Sequence, residues 1–221
     1  MPQGTGFFID RSGLLLTAYH VVENVNIPEI WLMQRYILAD PPTILYRPEI
    51  VQLWPEHDIA ALRLDFERHA AAPGLNDLDS FPYITVDLGA QEDGTPIYSF
   101  GYPLPEIQEE TIPDDFPVVH LGLGPRTTSA IIASSIEHTR MIHTETERQV
   151  YVLDKALNYG NSGGPIINTE TGKAFAICSE FQPATFYQSD NPDDYISIPS
   201  LYGLATSIAN IADFLRQELQ Y

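Results

Sequence analysis

The feature that most restricts how this chain can fold is a succession of short runs of strand-forming residues. About eleven segments rich in β-branched or aromatic residues, from TGFFID near the start to YGLATSI near the end, are bounded by Gly, Pro, Asn or Asp. The final stretch, SIANIADFLRQELQY, instead spaces its apolar residues as one face of a helix. The pattern predicts paired β-barrels or a β-sandwich, followed by an amphipathic C-terminal helix.

Three segments between these runs are rich in Pro, Gly or Asp. Residues 73–90 are where we predict the boundary between two β units. Residues 103–117, with five carboxylates and four prolines, and residues 182–199 are predicted to be long loops. The acidic segment 103–117 would suit a Ca²⁺ site, a site for a basic peptide or a lid. It lacks EF-hand spacing, so a solvated loop is the favoured interpretation.

The chain is strongly acidic, with 30 Asp and Glu against 11 Lys and Arg in 221 residues, which gives a net charge of −19. A surface of this sign repels the phosphates of nucleic acids and of anionic membranes, so we expect neither as a partner. It would attract basic segments of a protein partner. An acidic surface that only confers solubility is an equally good interpretation.

Cys178 is the single cysteine, which excludes internal disulfides and favours a reducing compartment. It lies in the apolar run AFAICSEF, which predicts a buried structural thiol. The first residues, MPQGTGFFID, lack the basic start and apolar run of a signal peptide. The expected location is therefore the cytoplasm, unless the sequence is a processed or excised module.

Ser162 stands among glycines in LNYGNSGGPIIN, either in a simple glycine-rich turn or as a nucleophile. A serine nucleophile needs a histidine that takes its proton and a carboxylate that orients this histidine. The G-x-S-x-G pattern also occurs at the nucleophile elbow of α/β-hydrolases, which requires a helix after the serine and a histidine later in the chain. Here a strand–turn–strand pattern follows the serine and all six histidines precede it, so that order is excluded.

His20 and Asp58 are the strongest candidates to complete a His-Asp-Ser order. His20 ends the apolar run in GLLLTAYHVV, and Asp58 begins the apolar strand in PEHDIAALRLD. An acid at the start of such a strand is expected to be buried, and an imidazole N–H is a suitable partner for it. His138 and His143 lie five residues apart with no cysteine nearby. This spacing gives poor support for a metal site, so both are expected at the surface.

Three motifs in this order, GTGFFIDRSGLLLTAYHVV, HDIAALRL and NYGNSGGPIIN, resemble those of the trypsin-like (chymotrypsin-fold) serine proteases. In style they are most similar to the bacterial HtrA/Deg type, although no PDZ-like segment follows the C-terminal helix. The resemblance implies an all-β fold of two six-stranded antiparallel Greek-key β-barrels with a C-terminal helix. The barrels would span residues 1–87 and 88–207, and the helix residues 208–221.

The resemblance also implies a role for each residue of the site. His20, in the first barrel, would be the general base, Asp58 its orienting acid, and Ser162, in the second barrel, the nucleophile. The backbone N–H groups of Gly160 and Ser162 would form the oxyanion hole. Asn161 stands where digestive members carry an aspartate that pairs with a freshly cut N-terminus, so control by loop ordering or by a regulatory protein partner is expected instead. No cofactor and no metal is implied.

The floor of the specificity pocket would be Ala156, six residues before the nucleophile, where no carboxylate selects Lys or Arg. The residues that the resemblance assigns to the pocket are Ala156, Leu157, Tyr159, Ala176, Ile177, Cys178, Ser179, Leu204 and Ala205. The implied activity is that of a serine endopeptidase, which cleaves protein or peptide substrates through an acyl-enzyme after a small or medium apolar residue. The alternative is a latent or pseudo-protease module that serves protein recognition within a larger bacterial system, such as a defence system.

Overall fold

Most of the described chain is β-structure. The computed structural model describes residues 4–25, 29–32, 43–46, 48–71, 75, 78–102, 106–110, 118–122, 125–139, 148–157, 159–187 and 195–219. The strands are β1 (Gly6–Phe8), β2 (Leu14–Thr17), β3 (Glu29–Leu32), β4 (Thr43–Tyr46), β5 (Glu49–Trp54), β6 (Ile59–Arg63), β7 (Pro96–Gly101), β8 (Glu106–Glu110), β9 (Val118–Gly122), β10 (Arg126–Thr139), β11 (Arg148–Leu153), β12 (Pro165–Asn168), β13 (Ala174–Tyr187) and β14 (Tyr195–Ser207). The helices are α1 (Tyr19–Val22), α2 (Ala212–Glu218) and two 3-10 segments, Pro55–His57 and Ile208–Ile211.

The N-terminal unit is built on an antiparallel sheet in the order β1-β2-β6-β5. Strands β2 and β6 lie at its centre, and their side chains are almost all buried, in keeping with the continuous apolar sequences LLLT and IAALR. Strand β5 lies at the edge, and its side chains are exposed or half-buried. Strands β3 and β4 form a separate two-stranded hairpin. Among the described residues, this unit is therefore a four-stranded sheet accompanied by a hairpin.

The C-terminal unit is a closed barrel of six antiparallel strands, in the order β10-β11-β14-β13-β12-β7, which closes by pairing of β7 with β10. Its interior is apolar, and Tyr151 and Phe175 meet there edge to face with ring centroids 5.1 Å apart. Closure removes the free sheet edges of this unit. The predicted all-β class and the second of the two predicted six-stranded barrels are thus confirmed, whereas the first is seen among the described residues only as the four-stranded sheet and the hairpin.

The two segments predicted as long loops are partly strands, so that prediction is wrong. Within residues 182–199, strands β13 and β14 continue as a hairpin, from the pair Pro183 and Pro199 to the pair Tyr187 and Tyr195. Within residues 103–117, strand β8 pairs with β9, and the rest of this segment lies outside the described residues. The β-branched and aromatic residues of these segments favour strands, and this outweighs the neighbouring Pro and Asp residues.

One apolar cluster joins the two units. It contains Phe7, Ile9, Leu14, Leu16, Ile59, Ala61, Val86, Ile167, Ala174, Ile177, Ile208, Ile211 and Leu215. Residues from both sheets and from the C-terminal helix therefore share one core, in which each large apolar side chain contributes on the order of 1.5–3 kcal/mol. The predicted C-terminal helix is confirmed, and it begins with a 3-10 turn in which Ala209 N–H donates to the Ser207 hydroxyl over 3.2 Å.

The linker between the units lies against both of them. Ile84 N–H donates to the Phe8 carbonyl over 2.9 Å, and Asp87 N–H donates to the Ala174 carbonyl over 2.8 Å. The predicted boundary between residues 87 and 88 falls in this segment and stays a prediction. No helix among the described residues has the length and apolar character needed to cross a membrane.

Candidate active site

His20 and Asp58 are hydrogen-bonded to one another. His20 lies on the single helical turn α1 that follows β2, and Asp58 directly follows the 3-10 segment that precedes β6. The His20 ring Nδ1 lies 3.0 Å from both oxygens of Asp58, and the His20 backbone N–H donates to Asp58 Oδ1 over 3.0 Å. Because an ionised carboxylate only accepts hydrogen bonds, Nδ1 carries the proton and Nε2 is left with its lone pair when the ring is neutral.

The backbone of Asp58 is in the left-handed region, with a φ of +53°, which among the described residues it shares only with glycines. Aspartate tolerates this conformation better than most residues, at a cost on the order of 1–3 kcal/mol. The conformation turns the carboxylate back toward α1, and Tyr19 N–H donates to the Asp58 carbonyl over 3.2 Å. The strain is therefore located at the residue that orients His20.

Ser179 is a further partner of Asp58, for which the sequence indicated a different role. Its hydroxyl donates to Asp58 Oδ2 over 2.5 Å, and its side chain is buried. The register of β13 against β14 shifts between Cys178 and Glu180, and this bulge at Ser179 turns its side chain toward the N-terminal unit. The sequence signal that was missed is a small polar residue that interrupts the apolar run AFAICSEF.

Hydrogen bonding and burial set the protonation of the pair. The pKa of His20 is raised above 6.5, chiefly by the hydrogen bond to Asp58, against an opposing effect of burial and with help from the charges of Asp58, Glu180 and Glu23. Burial, the largest single influence on Asp58, acts to raise its pKa. The hydrogen bonds from His20 and Ser179 and the charge of His20 outweigh it, so the pKa of Asp58 is lowered. Asp58 is therefore a stable anion near neutral pH, and His20 is a stronger base than a free imidazole.

Ser162 lies in a tight turn against these residues. Its hydroxyl donates to the carbonyl of Ser179 over 3.3 Å, so one serine contacts both Asp58 and Ser162. In the part of the chain that the structure describes, no hydrogen bond joins the Ser162 hydroxyl to the His20 ring. The turn has glycines in the left-handed region, Gly160 with φ +93° and Gly163 with φ +85°, which other residues adopt only with strain.

The backbone N–H groups of Gly160 and Ser162 are the predicted oxyanion donors. Within the described residues, neither group donates to a protein acceptor. The turn is held by its other backbone groups. Gly163 N–H donates to the Cys178 carbonyl over 2.7 Å, and Gly164 N–H donates to the Asn161 carbonyl over 2.8 Å.

The Asn161 side chain is buried, with only 1% of its surface exposed, and its Oδ1 has no hydrogen-bond partner among the described residues. It lies against Gly101, where an added Cβ would come within 2.4 Å of Oδ1. A charged residue at position 161 would need a compensating partner in this space. The expectation that this chain does not use an N-terminal salt bridge stays a prediction.

Most of the residues assigned to the specificity pocket lie in the interior. Leu157, Ala176, Cys178 and Ala205 belong to the core of the barrel, Ile177 to the cluster between the units, and Leu204 to a small cluster with Val150 and Val152. Ala156 is half-buried, and Tyr159 is 71% exposed. The assignment of a pocket to these residues stays a prediction.

Two other expectations concern Cys178 and the remaining histidines. Cys178 is buried, as predicted, and burial together with the charge of Asp58 raises the pKa of its thiol to about 12. His143 and the side chain of His138 lie outside the described residues. His57 directly precedes Asp58, and its buried Nδ1 has no hydrogen-bond partner among the described residues.

Comparison with known proteins gives a family match over most of the chain. The family described as "Trypsin-like peptidase domain" matches residues 4–177. A "Probable periplasmic serine endoprotease DegP-like" from Rickettsia conorii is 28% identical over 176 residues, which are 77% of this chain and 27% of that protein. The chain thus spans about a quarter of the length of this curated relative.

Two solved structures share the fold. The HtrA-type protease AlgW with a decapeptide superposes with a TM-score of 0.62 at 18% identity, over 99% of this chain and 52% of that chain. The active form of the Rv3671c protease from M. tuberculosis superposes with a TM-score of 0.59 at 21% identity, over 96% of this chain and 71% of that chain.

Proposed function

The chain belongs to the trypsin-like peptidase domain family, and on that premise we propose that it is a serine endopeptidase with Ser162 as nucleophile, His20 as general base and Asp58 as orienting acid. The observation that carries the proposal is the connected set of hydrogen bonds at the junction of the two units. Asp58 holds the His20 ring through Nδ1, Ser179 donates to Asp58, and Ser162 donates to Ser179.

The proposed reaction follows from the proton positions. His20 Nε2 removes the proton of the Ser162 hydroxyl as the oxygen attacks the peptide carbonyl carbon. The N–H groups of Gly160 and Ser162 stabilise the negative charge on the carbonyl oxygen, and removal of one such donor typically costs about 10²–10³ in rate. The imidazolium then protonates the leaving amine as the C–N bond breaks. In the second half, His20 removes a proton from water as it attacks the Ser162 ester, and returns it to the Ser162 oxygen as the acid product leaves.

The hydrogen bond from Ser162 to the Ser179 carbonyl belongs to a resting arrangement in this proposal. Attack requires the Ser162 hydroxyl to donate to His20 Nε2 instead of to that carbonyl. Catalytic hydrogen bonds are often long or poorly aligned before substrate binds and tighten in its presence. The fixed His20–Asp58 pair and the available N–H groups of the turn support an enzyme that completes its geometry when a peptide binds.

The substrate proposed is a protein or peptide with a small or medium apolar residue before the scissile bond, because no carboxylate stands at position 156. The peptide bound in the solved AlgW structure agrees with a peptide substrate for this class of fold. The same proposal includes control by loop ordering or by a protein partner. It also includes a location in a reducing compartment, which rests on the single buried cysteine.

The test is a digest of a proteome-derived peptide library, read by mass spectrometry, with the Ser162→Ala variant as matched control. We expect new termini with the wild type only, and small or medium apolar residues enriched before each cut. Cleavage confined to Lys or Arg would contradict the pocket assignment alone. Equal cleavage by the Ser162→Ala variant would contradict the assignment of Ser162 as the nucleophile.

A second candidate is a latent module that binds proteins without cutting them. The observation that favours it is the Ser162 hydroxyl bound to the Ser179 carbonyl rather than to His20. A latent module would bind peptides yet give no cleavage in the same digest, with the same result for wild type and Ser162→Ala.

A further inference from the structure

Thr5 of the N-terminal unit contacts the nucleophile turn of the C-terminal unit. It lies directly before β1, and 5% of its surface is exposed. Its hydroxyl donates to the Gly160 carbonyl over 2.6 Å, and its backbone N–H donates to the Ser162 carbonyl over 2.7 Å. One residue of the N-terminal unit thus binds two carbonyls of the turn.

The proton of the Thr5 hydroxyl has a defined direction. Tyr102 N–H donates to Thr5 Oγ1 over 3.3 Å, so the hydroxyl accepts from one side and donates to Gly160 on the other. The carbonyl of Thr5 in turn accepts from the Thr17 hydroxyl over 2.7 Å. Thr17 ends β2, three residues before His20, so the same set of hydrogen bonds joins the turn to the strand that leads to the base.

Glycines in both segments permit the close approach of Thr5 to the turn. An added Cβ on Gly163 would lie 2.1 Å from the Thr5 carbonyl oxygen, and one on Gly4 would lie 2.7 Å from the Ser162 carbonyl oxygen. Glycine on both sides allows the segment of residues 4–5 and the turn to approach at hydrogen-bond distance. The contact is therefore built into both segments.

The two carbonyls that Thr5 holds alternate with the two proposed oxyanion donors. The Gly160 carbonyl lies in the peptide plane of residues 160 and 161, and the Ser162 carbonyl lies in the plane of residues 162 and 163. The Ser162 N–H lies in the plane between them, so its direction is fixed from both sides. The Gly160 N–H lies in the preceding peptide plane, that of residues 159 and 160. The dihedral angles of Gly160 join this plane to the plane of residues 160 and 161.

We infer that Thr5 is a positioning residue of the oxyanion hole, which holds the turn of residues 160–163 in place relative to strand β2, the strand that leads to His20. This inference rests on the proposed function. Loss of the Thr5 hydroxyl would free the plane of residues 160 and 161 and let the Gly160 N–H turn away from the reacting carbonyl. Because the oxyanion donors act on charge that develops only in the transition state, the effect falls on kcat rather than on KM. A misplacement of about 1 Å costs on the order of 10²-fold in rate.

The experiment compares Thr5→Val, which keeps the shape but removes the hydroxyl, with Thr5→Ser, which keeps the hydroxyl. With a peptide substrate found in the library digest, Thr5→Val is expected to lower kcat about 10- to 100-fold with KM within twofold, and Thr5→Ser to stay within about threefold of wild type. Ser207→Ala is the matched control, because it removes a buried serine's hydrogen bond with Ala209 N–H in the C-terminal 3-10 turn. A wild-type kcat for Thr5→Val, or an equal loss in Ser207→Ala, would overturn the inference.

Two further measurements cover the remaining outcomes. If Thr5→Val does not fold, the Thr17→Val variant replaces it, because it removes the hydrogen bond to the Thr5 carbonyl. Thr17→Val is expected to lower kcat several-fold at unchanged KM, and a wild-type kcat would overturn the inference.

If the wild type has no peptidase activity, the proposed function fails on its own. Backbone hydrogen exchange of residues 160–163 then decides the role of Thr5: faster exchange in Thr5→Val than in Ser207→Ala supports it, and equal exchange overturns it.

Discussion

The Ser179 hydroxyl donates a 2.5 Å hydrogen bond to Asp58 Oδ2, and this bond crosses from the C-terminal barrel to the N-terminal sheet. The same residue accepts a hydrogen bond from Ser162 at its carbonyl oxygen. Ser179 therefore contacts both Asp58, the carboxylate that orients His20, and Ser162, the proposed nucleophile. The β-bulge at this position is the local feature that makes both contacts available.

Replacement of Ser179 by Ala should lower kcat about 10- to 100-fold with little change in KM, because Asp58 loses a hydrogen bond that favours its charged form. The Ser179→Thr variant retains the hydroxyl and serves as control. Steady-state kinetics with a cleaved peptide measure both. If Ser179→Ala and Ser179→Thr have equal kcat, the hydroxyl has no part in catalysis.

The rate should fall on acidification through a pKa above 6.5. His20 acts as base only when it is neutral, and its hydrogen bond to Asp58 raises its pKa above that value. In the Asp58→Asn variant the main cause of this shift is gone, so the acid limb of kcat/KM should move to lower pH while the rate drops by about 10⁴. An acid limb that stays in place in Asp58→Asn would contradict this account of the pair.

Folding stability should depend on pH in the direction that these pKa shifts require. Because the folded pKa of His20 is raised, its contribution is complete below 6.5 and is lost as pH rises through the raised value. Because the folded pKa of Asp58 is lowered, its contribution is present above 3.8 and is lost as pH falls through the lowered value. Thermal melting of wild type and His20→Ala across pH measures the first effect, and the difference in Tm should shrink at alkaline pH.

Glu180 should tune the base from a neighbouring position. Its charge contributes to the raised pKa of His20, and it accepts a hydrogen bond from buried Arg148 over 3.1 Å. Glu180→Gln should therefore move the acid limb of kcat/KM to lower pH. It should also destabilise the fold by about 1–3 kcal/mol, because the buried guanidinium loses its anionic partner. The double variant Glu180→Gln with Arg148→Met should recover part of that stability; if the single and double variants are equally stable, the ion pair does not account for the loss.

The nucleophile turn should tolerate no side chain at Gly163. An alanine there would combine a φ of +85° with a Cβ 2.1 Å from the Thr5 carbonyl oxygen and 2.3 Å from Thr17 Oγ1. Chemical denaturation should show a loss of more than about 3 kcal/mol, if Gly163→Ala folds at all. Gly172→Ala is the control, because Gly172 also has a positive φ, +69°, but has no atom within 4 Å of its added Cβ. Its loss should be about 1 kcal/mol, and equal losses at the two sites would contradict the close contact with Thr5.

The sequence predicted those parts of the molecule that follow from local patterns. Strand-forming runs and the spacing of Leu215 and its neighbours are local signals, and the barrel and the C-terminal helix agree with them. The approach of His20 to Asp58 was inferred from residue types and order. The contact of Ser179 with Asp58 could not be read in this way, because it depends on a one-residue register shift between β13 and β14. The contacts of Thr5 depend on the packing of two distant segments, which no local pattern records.

The measurement that tests the central claim most directly is labelling by a fluorophosphonate probe, with the modified residue identified by peptide mass spectrometry. The account predicts one adduct on Ser162 in the wild type, none in Ser162→Ala, and labelling at least 100-fold slower in His20→Ala, on the order expected for loss of the base. An unlabelled wild type, or an adduct that persists in Ser162→Ala, would contradict the claim that Ser162 is a nucleophile activated by His20.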